Sequence, residues 1–328
     1  MALSVDLLEL VLNRLAIDVI YRLYRTSSLV RKATTNKPFW RRLIERDLGV
    51  VPKFAIDYKL HYLRAMELPL SATVLDFRGK VIRRNVLKLF GGDSMLLKDK
   101  TIQVGGLTIH PPKGDKFRQL VGWDNIKNTR LLTNSGKIFN LMGRVEDTDT
   151  PLGTVKMVSS RAGLYLLTRE GRVYRSQFGE YTDFSKIELP EKIIQVVLMT
   201  TANYLNINDT LTAISETGKM YHFRGDGQVS PRRSESRYQW TMGSYSILDD
   251  GSLEGATTKL AAKHLPIVAG FGAATEQRQG DGVITKNLEL IPFSTTRIGT
   301  DVVKTRQIYS KYPNIIEFSE GNQFRVLE

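Results

Sequence analysis

Along the first fifty residues the apolar positions recur at helical spacing. Leu7, Leu8, Val11, Leu12 and Leu15 form one stripe; Asp6 and Glu9 sit early in it, where carboxylates suit the positive end of a helix, and Ser4 is placed to cap it. Val19, Ile20, Leu23 and Tyr24 form a second set after Asp18, a residue type that caps helices. Thr26-Ser27-Ser28 breaks the pattern, Leu29, Val30 and Ala33 resume it, and Pro38 opens a last segment, Phe39-Trp40-Arg41-Arg42-Leu43-Ile44. Three or four helices this short bury too little to stand alone, so they need a partner or the rest of the chain. Residues 50–72, with Tyr58, Leu60, Tyr62, Leu63 and Met66, predict one further helix and a linker.

Beyond residue 72 the helical period gives way to short runs of Val, Ile, Leu, Tyr and Phe broken by Gly, Asp and Asn turns, the pattern of strands. One unit recurs. Leu131-Leu132-Thr133-Asn134-Ser135-Gly136-Lys137-Ile138-Phe139 is echoed by Leu166-Leu167-Thr168-Arg169-Glu170-Gly171-Arg172-Val173-Tyr174 and by Thr212-Ala213-Ile214-Ser215-Glu216-Thr217-Gly218-Lys219-Met220-Tyr221. Each reads as a strand, a two-residue polar-Gly turn and a strand, with glycine supplying the positive φ. Weaker copies centre on Gly251, Asn287 and Gly321, and an earlier one on Asp99, giving steps of 37, 35, 47, 33, 36 and 34 residues. An incoming strand precedes three of the turns: Phe117–Val121, Val155–Val158 and Ile193–Val197. Self-similarity at this period, with four short strands per unit, predicts a propeller of about seven blades, a ring that leaves no long edge exposed. A β-sandwich or barrel with look-alike hairpins is the competing architecture.

The helical segment resembles an F-box. Leu3-Ser4-Val5-Asp6-Leu7-Leu8, Val11-Leu12-Asn13-Arg14-Leu15 and Asp18-Val19 match that family's opening in kind, and Phe39-Trp40-Arg41-Arg42-Leu43 with Arg46-Asp47-Leu48-Gly49 matches its ending. Ser4 stands where the family has proline, and Val30 near where it has Trp or Phe. The repeats resemble those of the regulator-of-chromosome-condensation family, in which an apolar-x-Gln-apolar strand precedes a Leu-x-Leu-Thr strand and a polar-Gly turn. The family's Gly-x-x-His is missing at Gly122-Trp123-Asp124-Asn125. The combination also resembles proteins of large DNA viruses. The resemblances imply an α+β multidomain chain: an F-box-like helical domain over residues 1–50, a linker helix over 51–72 and an all-β propeller over 73–328. They further imply docking of a Skp-type adaptor of a cullin ubiquitin ligase through Ser4, Leu7, Leu8, Val11, Leu12 and Leu15, with a target protein held by the propeller. On that reading, Leu8 and Leu12 exchanged for Asp abolish docking and leave the propeller folded.

The net charge of +13 changes the picture by adding a second function class, a docking or virion protein for nucleic acid or chromatin. Its contacts are Arg22, Arg25, Arg41 and Arg42 in the helical segment, and Arg232, Arg233 and Arg237 in a polar loop spanning Asp226–Arg237. The chain has no cysteine, which excludes disulfides, thiolate metal sites and thiol nucleophiles and fits a reducing compartment, cytoplasmic or nuclear. His61, His110, His222 and His264 share no metal-ligand spacing. No phosphate loop or nucleophile elbow occurs, and Gly270-Phe271-Gly272 reads as a loop. The expectation is a non-enzymatic chain with no cofactor, no metal, no membrane span and no leader peptide.

Overall fold

The computed structural model describes the chain except residues 1–4, 16, 49–50, 52–56, 67–69, 77, 91–93, 105, 124, 142–149, 161–162, 178–179, 200–209, 224–227, 233–236, 243–244, 256–266, 272–281, 286–289, 293–314, 320–322 and 328. Among the described residues five helices come first: α1 (Val5–Leu12), α2 (Ile17–Thr26), α3 (Ser28–Ala33), α4 (Lys37–Leu48) and α5 (Tyr58–Ala65). Ser27 caps α3, its hydroxyl accepting from the Val30 N–H at 3.3 Å. α2 begins at Ile17, which places Asp18 inside its first turn and not at the cap.

One apolar core joins all five helices. It contains Leu12, Ile20, Val30, Phe39, Trp40, Leu43, Ile44, Tyr62 and Leu63. Trp40 stacks edge-on against Phe39 at 5.4 Å and donates its ring N–H to the Thr34 carbonyl at 2.6 Å. The cluster draws in Leu70 and touches Leu327, while Leu60 of α5 packs with Ala72 and Ile316. The core too small to stand alone is thus continued by the strands at both ends of the β region.

That region is a succession of small antiparallel sheets. β1 (Ala72–Asp76), β2 (Val81–Leu89), β3 (Met95–Leu97), β4 (Ile102–Val104) and β5 (Leu107–Ile109) belong to the first. β6 (Phe117–Trp123), β7 (Asn125–Thr133) and β8 (Ile138–Asn140) make the second; β9 (Thr154–Ser160), β10 (Gly163–Thr168), β11 (Val173–Gln177) and β12 (Glu180–Ile187) the third. β13 (Ile193–Met199), β14 (Thr210–Ser215), β15 (Met220–Phe223) and β16 (Val229–Pro231) make the fourth. β17 (Tyr238–Met242), β18 (Tyr245–Leu248) and β19 (Leu253–Gly255) form the fifth, and β20 (Ile267–Phe271), β21 (Gly282–Thr285) and β22 (Leu290–Pro292) the sixth. β23 (Ile315–Ser319) and β24 (Gln323–Leu327) return to β1, with Ala72 opposite Leu327 and Asp76 opposite Gln323.

Two observations give the arrangement of a propeller. First, the leading strands of neighbouring sheets meet: β6 with β9, β9 with β13, β13 with β17 and β17 with β20; within the first sheet β23 likewise meets β2. Second, the apolar cores lie between sheets. Val121, Leu132 and Ile138 face Met157, Leu164 and Leu166, and Val158, Tyr165 and Val173 face Val196, Leu211 and Phe223. A register shift recurs at the start of the leading strands, at Phe117/Gln119, Ile193/Gln195, Tyr238/Trp240, Ile267/Ala269 and Ile315/Glu317, where β9 steps from Thr154 to Lys156, and in β2 at Val86/Lys88, where its pairing with β3 begins.

The recurring turn differs from its two-residue expectation. The N–H of Gly136 donates to the Thr133 carbonyl and that of Thr133 to the Lys137 carbonyl, and only the glycine has positive φ, at 89°. This is a three-residue loop ending in a glycine bulge. Gly171, Gly218 and Gly251 repeat it; in the first copy Lys100, at φ 72°, takes the place assigned to Asp99. The turn threonine has a specific task. The hydroxyls of Thr133, Thr168 and Ser215 accept from the N–H groups of Lys137, Arg172 and Lys219 at 3.1–3.2 Å. Where the hydroxyl is missing, Asp99 or Asp250 supplies the acceptor to Thr101 or Ser252. Asn287 and Gly321 lie outside the described residues. The strands flanking Gly321 are the first and second of their sheet, not the second and third, because the third is β1 from the other end of the chain.

Two loop expectations are corrected. Gly270 and Phe271 belong to β20 and pair with Val283 and Gly282. Within Asp226–Arg237, Val229–Pro231 form β16 against β15, because Val229 and Ser230 continue the alternation opposite Phe223 and His222.

Candidate docking surfaces

α1 carries apolar residues on nearly every side, and the structure sorts them. Leu12 is fully buried, and Leu8 and Leu15 pack against the helical core. Leu7 is 51% exposed, Leu10 61% and Val11 46%, a stripe at i, i+3 and i+4 turned to solvent. Leu12 therefore serves the core, and Leu10, absent from the sequence-based set, joins Leu7 and Val11 on the exposed stripe. Ser4 lies outside the described residues. Exchanging Leu8 and Leu12 for Asp would charge the core and unfold the helical unit.

Polar contacts hold the orientation of α1. Glu9 is buried and accepts from Asn36 at 3.2 Å and from the Arg42 guanidinium. At its far end Arg46 donates to the carbonyls of Asn13 and Leu15 while gripping Asp47 through two 2.6 Å bonds. The Tyr62 hydroxyl donates to the same Asp47; burial first, then the Asp47 charge, pushes the Tyr62 pKa up. The Arg46-Asp47 pair of the family-like ending is thus the clamp that joins α4 to α1 and α5.

The arginines assigned to a polyanion are only partly gathered. Arg41 and Arg42, with Lys37, Pro38, Glu45 and Tyr58, line an open cavity of about 340 Å³ beside α4. Arg22 and Arg25 are exposed on α2. Arg232 pairs with Glu254 at 2.5 Å and lies over the Tyr238 ring, Arg237 donates to the Thr217 carbonyl at 3.0 Å, and Arg233 lies outside the described residues. His61 is buried in α5, His110 follows β5, His222 sits in β15 and His264 is outside the described residues. No helix among the described residues is long and apolar enough to cross a membrane.

No family model and no curated protein matches the chain. Solved structures similar to it include a chain from Kap60 bound to yeast RCC1 (Prp20), with TM-score 0.47 and 11% identity over 71% of this chain and 81% of that one. The computationally designed Ika8 protein gives 0.45 and 13% over 79% and 91%. BBS1N in complex with ARL6DN gives 0.38 and 14% over 49% and 58%, so the chain spans less than two thirds of that protein's length. These likenesses are partial, and the architecture rests on the strand pairing described above.

Proposed function

We propose that the chain is a non-enzymatic interaction protein. An F-box-like helical unit docks a Skp-type adaptor, and a propeller of seven blades, closed by β24 against β1, presents a target to the ligase. The observation that carries this reading is the outward stripe of Leu7, Leu10 and Val11 on a helix whose other face is fixed in the core. A helical stripe of this kind is the form a groove-binding helix takes. The test is capture of a purified Skp-type adaptor by the full chain and by its Leu7→Asp/Leu10→Asp variant. Capture by the wild type and loss in a variant that still melts cooperatively supports the reading; no capture, or equal capture by both, overturns it.

A second reading, polyanion binding, is supported by the basic cavity at Lys37, Arg41 and Arg42. It is the weaker one because Arg42 is bound to Glu9 and Glu45 lines the same cavity. DNA binding that disappears in the Lys37→Ala/Arg41→Ala variant would favour it.

A further inference from the structure

We infer that the first half of β2 is a docking edge for an extended acidic peptide, which adds a strand to the closing sheet. β2 is shared between two pairings. Val81 and Arg83 pair with Leu75 and Val74 of β1, whereas β3 pairs only from Val86 onward. Among the described residues no strand pairs with Val81–Asn85 on the side away from β1, and the one backbone bond there, from the Lys98 N–H to the Asn85 carbonyl at 2.8 Å, marks the end of the edge. Those five residues are all exposed, and Val81 and Ile82 each show 43% of their surface. The edge has defined ends: Gly79 at φ 78° begins it and Asn85 at φ 59° turns the chain away.

The charge around this edge is predominantly positive. Arg78, Lys80, Arg83 and Arg84 fall within seven residues. The nearby carboxylate, Asp76, accepts from the backbone N–H groups of Arg78 and Lys80 at 2.8 and 2.9 Å, so it shapes the turn. Arg83 and Arg84 guard the edge against a second copy, because arginines would then face arginines. The same charges favour a strand that brings carboxylates, and the exposed Val81 and Ile82 offer it apolar contacts that a purely guarded edge does not need. Other outer strands differ. β5 and β16 have three residues each, β16 ends on Pro231, and the Lys186 ammonium of β12 is bonded to Glu188.

The inference is independent of adaptor docking. Its test uses a short fluorescent peptide alternating valine and glutamate, the same peptide with proline replacing each valine, and the full chain with its Arg83→Glu/Arg84→Glu variant. The valine–glutamate peptide is expected to bind at least about tenfold tighter than the proline version and to lose about tenfold on charge reversal. It should also slow amide exchange over Val81–Asn85 and weaken with salt. Equal binding of the two peptides shows charge attraction only and overturns the inference. So does binding that survives charge reversal in a variant with an unchanged melting transition.

Discussion

Gly136 and Gly171 occupy the same place in two copies of one turn, at φ 89° and 78°, yet a methyl group meets different surroundings at each. At Gly136 nothing lies within 4 Å, so Gly136→Ala is expected to cost only the backbone strain, about 1–2 kcal/mol. At Gly171 the added carbon would fall 2.8 Å from the Ile193 carbonyl oxygen and 2.9 Å from its nitrogen, at the head of the next sheet. Gly171→Ala should therefore cost at least about 1–3 kcal/mol more, read as a larger fall in the urea midpoint. Glu191 gives a pH signature at the same scale. Burial opposes its charge, but hydrogen bonds from Lys219, Thr217 and Ser215 prevail and hold its carboxyl down to about 2. A folded pKa below the unfolded one means stability present above pH 4.5 and lost as pH falls toward 2. Glu191→Gln should flatten that part of the acid melting profile, which scanning calorimetry at stepped pH would show. The turn glycines and their threonines were legible in the sequence because their chemistry is local: a positive φ and one amide to satisfy. The contrast between Gly136 and Gly171 was not, because it depends on which part of a neighbouring sheet comes near.

At the scale of elements, α1 shows where periodicity stops informing. Leu7, Leu8, Leu10, Val11 and Leu12 leave hardly a polar side, so spacing alone cannot say which flank meets the core. The fold decides it by burying Leu12 in one core with Val30, Ala33, Phe39 and Leu43. Leu12→Ala is expected to cost about 2–5 kcal/mol, while Leu10→Ala stays within about 0.5 kcal/mol, as paired thermal melts would show. The glutamine of the repeat motif has a similar explanation. The Gln119 side chain donates to the Met157 carbonyl at 2.7 Å and accepts from the Met157 N–H at 2.8 Å, joining β6 to β9. The sequence shows this glutamine as a motif; only the fold shows that it bridges two leading strands.

For the whole molecule, the decisive contact is between the ends of the β region. The last repeat was placed one strand out of phase in the sequence because its third strand lies some 250 residues away, and no local pattern announces that pairing. Phe324 is fully buried there, and buried Arg325 donates to the Leu70 carbonyl at 2.7 Å and to that of Leu87. Deleting residues 323–328 removes the partner that β1 and β23 share; the full chain is expected to unfold in one cooperative calorimetric transition and the truncated chain in a broad, low-enthalpy one. Phe324→Ala should destabilise by about 3–5 kcal/mol. The β24–β1 pairing also matters for the helices, since Leu327 belongs to the surface on which their core rests. The most direct test of the central claim is titration calorimetry of a Skp-type adaptor into the full chain, wild type against Leu10→Asp. The account predicts a saturable one-to-one isotherm for the wild type and none for Leu10→Asp, with matching melting temperatures. A flat wild-type isotherm, or binding that Leu10→Asp leaves intact, contradicts it.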